Sequence, residues 1–285
     1  DEYDGPLGVY LDANESPFEN GYNRYPDPYQ WLLKQKISVL KGVDTGGLFL
    51  GNGSDEAIDI LFRVFCEPGT DNVVSISPTY GMYGVAAAIN DVNVCEVPLG
   101  VDFELDTRAI LDACNDKTKL MFVCSPNNPT GNSFSTDHLK SLLYNFDGVV
   151  VLDEAYADFS TEGSRIELLD MYPNLVVLQT LSKAWGMAGL RLGMAFADPG
   201  IIALMTRVKY PYNINGTTQE ILLSELDKDI SGNVALIVSE RDKIIDEMER
   251  LPAVVRVWPS DANFVLVRFD NPRLVYELLI DAGII

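Results

Sequence analysis

Short apolar, β-branched runs alternate with helix-period segments along most of this chain, and each run ends in a polar or glycine-rich cluster. That alternation limits the fold more than any other feature, because parallel strands need crossover connections and helices are the usual means. The runs fall at 48–50, 73–76, 92–97, 120–124, 149–152, 175–179 and 192–195. Helices are expected between them at 54–66, 83–90, 107–113, 136–143 and 199–208. An α/β fold follows, with a mostly parallel sheet flanked by helices. Beyond Pro211 the pattern changes to a charged, helix-period stretch at 218–250, broken near Ser231-Gly232. VVRVWPSDANFVLVRF then reads as two strands about a Pro-Ser-Asp turn. We expect a large domain at 20–212 and a smaller α+β domain at 213–285, joined by the N-terminal segment 1–19. The chain reaches Gly283 and two β-branched residues, and is expected to end inside that smaller domain.

A chain of 285 residues suits a main domain with a smaller partner. Its net charge of −21 repels nucleic acid and anionic lipid, so any anionic ligand must be held by local donors. With His138 the only histidine, sites with two or more histidine ligands are excluded, and a Ser-His-Asp triad would have to run through that residue. His138 itself reads as an exposed or capping residue. Cys66, Cys95, Cys114 and Cys124 are far apart with no CxxC and sit among apolar residues, so free, buried thiols are expected and no metal site. Trp31, Trp185 and Trp258 are expected to pack. The opening DEYDGPLG lacks a basic segment followed by an apolar one, and no apolar run approaches membrane-spanning length. A cytoplasmic location is expected.

In open α/β sheets, ligands collect at the carboxyl ends of the strands, and the polar clusters fall there. Gly51-Asn-Gly-Ser-Asp55 precedes a helix, where the N–H groups of Gly53, Ser54 and Asp55 could face an anion, or Ser54 or Asp55 could simply cap the helix. Asp153 follows four apolar residues and either needs a cation or caps the next turn. Lys183, set among hydroxyls and small residues, has the surroundings of a desolvated amine nucleophile. Ser125-Pro-Asn-Asn-Pro-Thr-Gly131 could fix asparagine amides or form an ordinary turn. Tyr80 and Tyr83 could lay a ring over a flat ligand or pack in the core.

Together and in this order, LDANESP, NRYPDP, GNGSDE, PTYGMY, SPNNPTG, DEAY and TLSKAWGMAGLRLG resemble the fold-type I pyridoxal-phosphate aminotransferases over essentially the whole chain. The resemblance implies pyridoxal 5′-phosphate as cofactor, with Lys183 as its Schiff-base lysine and Asp153 paired with the pyridine nitrogen. Opposite charges 4 Å apart at an effective dielectric of 20 attract by about 4 kcal/mol, enough to keep that nitrogen protonated. By the same resemblance Asn128 and Tyr156 bond the ring's phenolic oxygen, and Tyr80 stacks on the ring. Backbone at Gly53-Ser54-Asp55, with Thr180, Ser182 and Arg191, holds the phosphate, the Asp55 carboxylate pointing away. Tyr25 reaches the phosphate of a neighbouring subunit in a homodimer with shared sites. Asn14, on a strand near the entrance, contacts substrate or is a turn asparagine. The activity implied is ping-pong transamination between a small-molecule amine and 2-oxoglutarate. The arginine that anchors the substrate's acidic group near the family's C-terminus has no match here. Rival readings are an aminotransferase for aromatic amino acids, a phospho-amino-acid decarboxylase and a non-catalytic dimeric scaffold. GNGSDE is not GxGxxG, which disfavours a dinucleotide-binding dehydrogenase.

Overall fold

A computed structural model describes residues 11–285 of the chain. Residues 1–10, which hold the acidic opening and the first part of the 1–19 segment, lie outside the described residues. Helix α1 (Trp31–Lys41) precedes strand β1 (Leu48–Asn52), and α2 (Ser54–Phe65) follows. The chain continues through β2 (Asn72–Ser77), α3 (Met82–Ile89), β3 (Asn93–Pro98), α4 (Thr107–Asp112), β4 (Thr118–Cys124), α5 (Thr136–Asn145) and β5 (Val149–Asp153). Next come β6 (Leu175–Thr180), β7 (Leu192–Ala197), α6 (Pro199–Val208), α7 (Gly216–Glu225) and α8 (Ser231–Met248). The described chain closes with β8 (Val254–Val257), β9 (Val267–Phe269) and α9 (Pro272–Asp281).

Seven strands form one sheet in the order β1-β7-β6-β5-β4-β2-β3. Successive side chains of a strand point to opposite faces, and both faces here are buried. Leu50, Val123, Leu152 and Val177 pack on one face with Leu33 and Ile37 of α1 and Leu142 of α5. On the other, Phe49, Phe122, Val151 and Leu178 meet Ile58 and Leu61 of α2 and Met205 of α6. Burial on both faces explains why the strands read as unbroken apolar runs. Strand β7 departs from the parallel expectation, running antiparallel to both β1 and β6. The link at 181–191 contains only a short 3-10 turn at Ala188–Leu190, and so brief a connection cannot cross over.

Helix α1 was not among the expected helices. The helix-period stretch at 218–250 is two helices, α7 and α8, and the expected break near Ser231-Gly232 lies just before Ser231, which starts α8. Its start is set by the Asp229 carboxylate, which accepts from the Ser231 N–H at 2.9 Å and its hydroxyl at 3.0 Å. Ile214, Leu222 and Leu226 belong to the same buried cluster as the main sheet, so α7 packs with that body. Strands β8 and β9 pair antiparallel as a separate two-stranded sheet. All four cysteines are free, but only Cys124 is buried. Cys95 is exposed because β3 lies at the sheet edge. Trp31 is 53% exposed at the start of α1 instead of packing in the core. His138 is exposed in the first turn of α5, its N–H directed at Ser135 Oγ at 3.3 Å. Among the described residues, no helix is long and apolar enough to cross a membrane.

Candidate active site

One cleft opens at the carboxyl ends of the strands. Gly53, Ser54 and Asp55 line it from the β1–α2 turn, Tyr80 from beyond β2 and Asn128 from beyond β4. Asp153 and Tyr156 enter from β5, and Thr180, Ser182, Lys183 and Arg191 from the β6–β7 link. Cys124 and Ala155, which the sequence did not single out, also line it. Tyr25 and Asn14 do not. Tyr25 is 56% exposed and stacks on Tyr212, centroids 4.4 Å apart. Asn14 is exposed with φ 53, the left-handed conformation of a turn asparagine, and the 11–17 segment forms bends instead of a strand.

The end of the cleft nearest α2 is built to accept an anion. Helices α4, α5, α6 and α7 each start with a side chain accepting a first-turn N–H. Helix α2, like α1, α3 and α8, does not: its N-cap is Gly53, and neither Ser54 nor Asp55 caps it. Since Gly53, Ser54 and Asp55 line the cleft, the start of α2 and its positive dipole end lie at the cleft wall. Two glycines bring this backbone close to the sheet. A Cβ on Gly193 of β7 would stand 2.1 Å from Ser54 N, and one on Gly53, at φ 78, would stand 2.6 Å from Arg191 Nη2. Arg191, itself left-handed at φ 53, accepts the Gly53 N–H on its carbonyl at 2.8 Å while its guanidinium lies over the turn. The Asp55 carboxylate does not point away as expected. It takes the Tyr80 hydroxyl at 3.0 Å and lies 3.7 Å from Arg191, because both donors flank it across the cleft. Burial first, and Asp55 second, raise the Tyr80 hydroxyl well above a phenol's ordinary pKa. Thr180 Oγ1 and Ser182 Oγ bond at 3.0 Å on the adjoining wall.

Asp153 is 2% exposed at the end of β5. Its carboxylate accepts the Tyr83 hydroxyl at 2.7 Å and the Ala155 N–H at 3.1 Å, and among the described residues it forms no salt bridge. Burial raises its pKa, and these two donors only partly oppose the rise. Tyr83 thus does two jobs: its ring stacks on Phe122 in the core at 4.7 Å while its hydroxyl reaches the cleft wall. Only the first was legible in the sequence. Asn127 was also missed, beside the chosen Asn128. Fully buried, it donates to Pro78 O at 3.0 Å and Thr130 Oγ1 at 2.8 Å and accepts from Thr79 at 2.7 Å, tying the Tyr80 loop to the Asn128 loop.

Lys183 is exposed, which corrects the expectation of a desolvated amine. It stands on irregular backbone over the open cleft, with Nζ 5.3 Å from the Tyr156 ring centroid. Tyr156 is 8% exposed, and burial, followed by Cys124 and Asp153, pushes its hydroxyl up to about 12. It therefore stays a donor at neutral pH. Behind the cleft, buried Glu154 accepts from Ser164 Oγ at 2.5 Å, Arg165 N–H at 2.6 Å and Gln179 Nε2 at 3.0 Å, yet burial still raises it to about 7. Among the described residues, no group of three or more His, Cys, Asp or Glu side chains could hold a metal ion.

A lysine, a buried carboxyl and an uncapped helix start, gathered at the carboxyl ends of a mostly parallel sheet, define a transferase-type site on an α/β scaffold. The model of the aminotransferase class I and II family matches residues 10–285, and the chain belongs to that family of enzymes. It is 51% identical over 287 aligned residues to the histidinol-phosphate aminotransferase of Parabacteroides distasonis, spanning all of this chain and 83% of that protein. Among solved structures it is similar to the histidinol-phosphate aminotransferase of Sinorhizobium meliloti in complex with pyridoxal-5′-phosphate. That match has a TM-score of 0.82 and 25% identity, over 92% of this chain and 73% of the other. The fold alone is shared with the L-threonine-O-3-phosphate decarboxylase of Porphyromonas gingivalis, with a TM-score of 0.74 and 24% identity over 91% and 79% of the two chains.

Proposed function

We propose that this aminotransferase moves the amino group of L-histidinol phosphate to 2-oxoglutarate with pyridoxal 5′-phosphate as cofactor, a step of histidine biosynthesis. The observation carrying the proposal is the convergence on one cleft of Lys183, the buried Asp153, which has no ion-pair partner among the described residues, and the uncapped start of α2 beside Arg191. Likeness to histidinol-phosphate aminotransferases along the whole chain supports the substrate. The donor set fits the cofactor. First-turn N–H groups of α2, the Thr180 and Ser182 hydroxyls and the Arg191 guanidinium suit a phosphate. Asp153 suits a protonated ring nitrogen, since a buried carboxyl raised by desolvation ionises readily once a cation faces it. When bound, the cofactor supplies a carbonyl carbon that takes up an amino group and a ring that accepts the electron pair left on the substrate carbon. Lys183 Nζ carries the proton to and from that carbon as general base and acid, a role that depends on its position in the cleft and not on burial. The Tyr156 hydroxyl and the Asn128 amide would donate to the ring's phenolic oxygen, and Tyr80 would pack against the ring. We further propose a cytoplasmic homodimer in which exposed Tyr25 serves the phosphate site of a second copy.

The test is to supply L-histidinol phosphate with 2-oxoglutarate and follow glutamate. A visible-edge absorbance band, lost on borohydride reduction with mass added at Lys183, is the accompanying expectation. An equal or higher rate with tyrosine or O-phosphothreonine would overturn the substrate assignment.

A further inference from the structure

The 258–264 segment, between β8 and β9, does more than close a hairpin. Phe264 meets Tyr156 edge to face, centroids 5.0 Å apart and planes at 85°. Buried Ala262, Phe159 and Ala184 complete the apolar nest around Tyr156, with Val234 and Val238 of α8 against them. A ring enclosed in this way takes its orientation from its neighbours, because aromatic pairs favour specific geometries over sliding contact.

The segment is also fastened to the loop that carries Asn128. Asp261 donates its N–H to Gly131 O at 2.7 Å, and the Asp261 carboxylate accepts the Ser133 N–H at 3.1 Å. Gly131, at φ 83, allows the approach: a Cβ there would stand 2.7 Å from Ser260 Oγ. The turn is shaped from within, since the Ser260 hydroxyl donates to Phe264 O at 2.6 Å and accepts the Ala262 N–H at 3.1 Å. At its outer end Trp258 lies beneath Arg256, 4.7 Å from guanidinium to ring centroid, and Arg256 pairs with Asp102 at 2.5 Å.

We infer that Phe264 is a positioning residue for the reaction: it sets the plane of Tyr156, and its segment joins the two-stranded sheet to the side chains that would bond the cofactor's phenolic oxygen, Tyr156 and Asn128. This inference rests on the cofactor reading given above. A hydroxyl aimed at an oxyanion stabilises the state in which that oxygen carries uncompensated charge. If the donor is loosened, a protonated nitrogen beside the oxygen is favoured, so the pH midpoint of the cofactor's absorbance change rises.

The test uses the cofactor-loaded full chain. Phe264→Leu keeps most of the apolar volume and removes the aromatic ring, whereas Phe264→Tyr keeps the ring; Phe264→Met is measured alongside in case the Leu variant does not fold. In the folded Leu or Met variant the spectroscopic midpoint should rise by about half to one pH unit, a roughly threefold to tenfold change in the equilibrium. The kcat should fall by a similar factor with a smaller change in KM, and Phe264→Tyr should restore both. A folded Leu or Met variant with an unmoved midpoint and wild-type kcat overturns the role of Phe264 and leaves the cofactor reading standing. Absence of any cofactor band in the wild-type protein overturns both.

Discussion

Asp153→Asn should pull two properties in opposite directions. The carboxyl is 2% exposed, held by Tyr83 at 2.7 Å and Ala155 at 3.1 Å, and its pKa is raised by burial. For a group raised on folding, the stability it contributes is fully present below the unfolded value of 3.8 and is lost as pH rises through the folded value. At pH 8 the cofactor-free wild type has therefore lost more of this stability than at pH 4, at about 1.4 kcal/mol for each unit of the rise that is passed. Asparagine is isosteric and uncharged and carries none of this loss. Cofactor-free Asp153→Asn should melt at or above the wild type at pH 8, by roughly 2–4 °C per kcal/mol, with the difference closing toward pH 4. The cofactor-loaded enzyme should suffer instead. An ion pair with the ring nitrogen is worth about 4 kcal/mol at 4 Å and an effective dielectric of 20, so its loss lowers kcat/KM by about three powers of ten. Thermal melts of stripped and loaded protein at pH 4, 6 and 8, with glutamate formation on the loaded samples, read both effects. A stripped variant less stable than the wild type at pH 8, or activity within tenfold of the wild type, would refute the reasoning.

Lys183→Ala should abolish glutamate formation while equilibrium dialysis still finds cofactor held through its phosphate; retained turnover would remove the lysine from the chemistry. Gly193→Ala drives a Cβ to 2.1 Å from Ser54 N, so a stability loss of about 1–3 kcal/mol, read as a lower melting temperature, and weaker cofactor binding are expected. Glu154, raised from 4.5 to about 7 by burial, costs the fold about 3 kcal/mol as pH rises from 4.5 through 7. Denaturant titrations of Glu154→Gln across that window should lack this slope, and a slope equal to the wild type's would show that another group titrates.

The strands were legible because burial on both faces leaves continuous β-branched runs, as at 149–152. Strand ends were legible because Gly53, Asn128, Asp153 and Lys183 interrupt those runs abruptly. The direction of β7 was not, since periodicity reports which faces are buried and says nothing of which way a neighbour runs. The brevity of the 181–191 link was the available signal. The exposure of Lys183 was not legible, because small, apolar sequence neighbours do not determine what surrounds a side chain in space. Gly193 could have been found, since a glycine inside a strand often marks a close backbone approach. Tyr83, Asn127 and Phe264 act through contacts 48 to 108 positions away along the chain, and no local pattern encodes such partners.

The link between β6 and β7 carries Lys183 near one end and Arg191 at the other, and both ends are pinned by central strands of the sheet. The spacing between the amine and the guanidinium is thus a property of one short peptide gauge, calibrated by its covalent length. A residue inserted at 184–190 would leave every contact in the core available and still put the two functional groups out of register with any rigid molecule that must touch both.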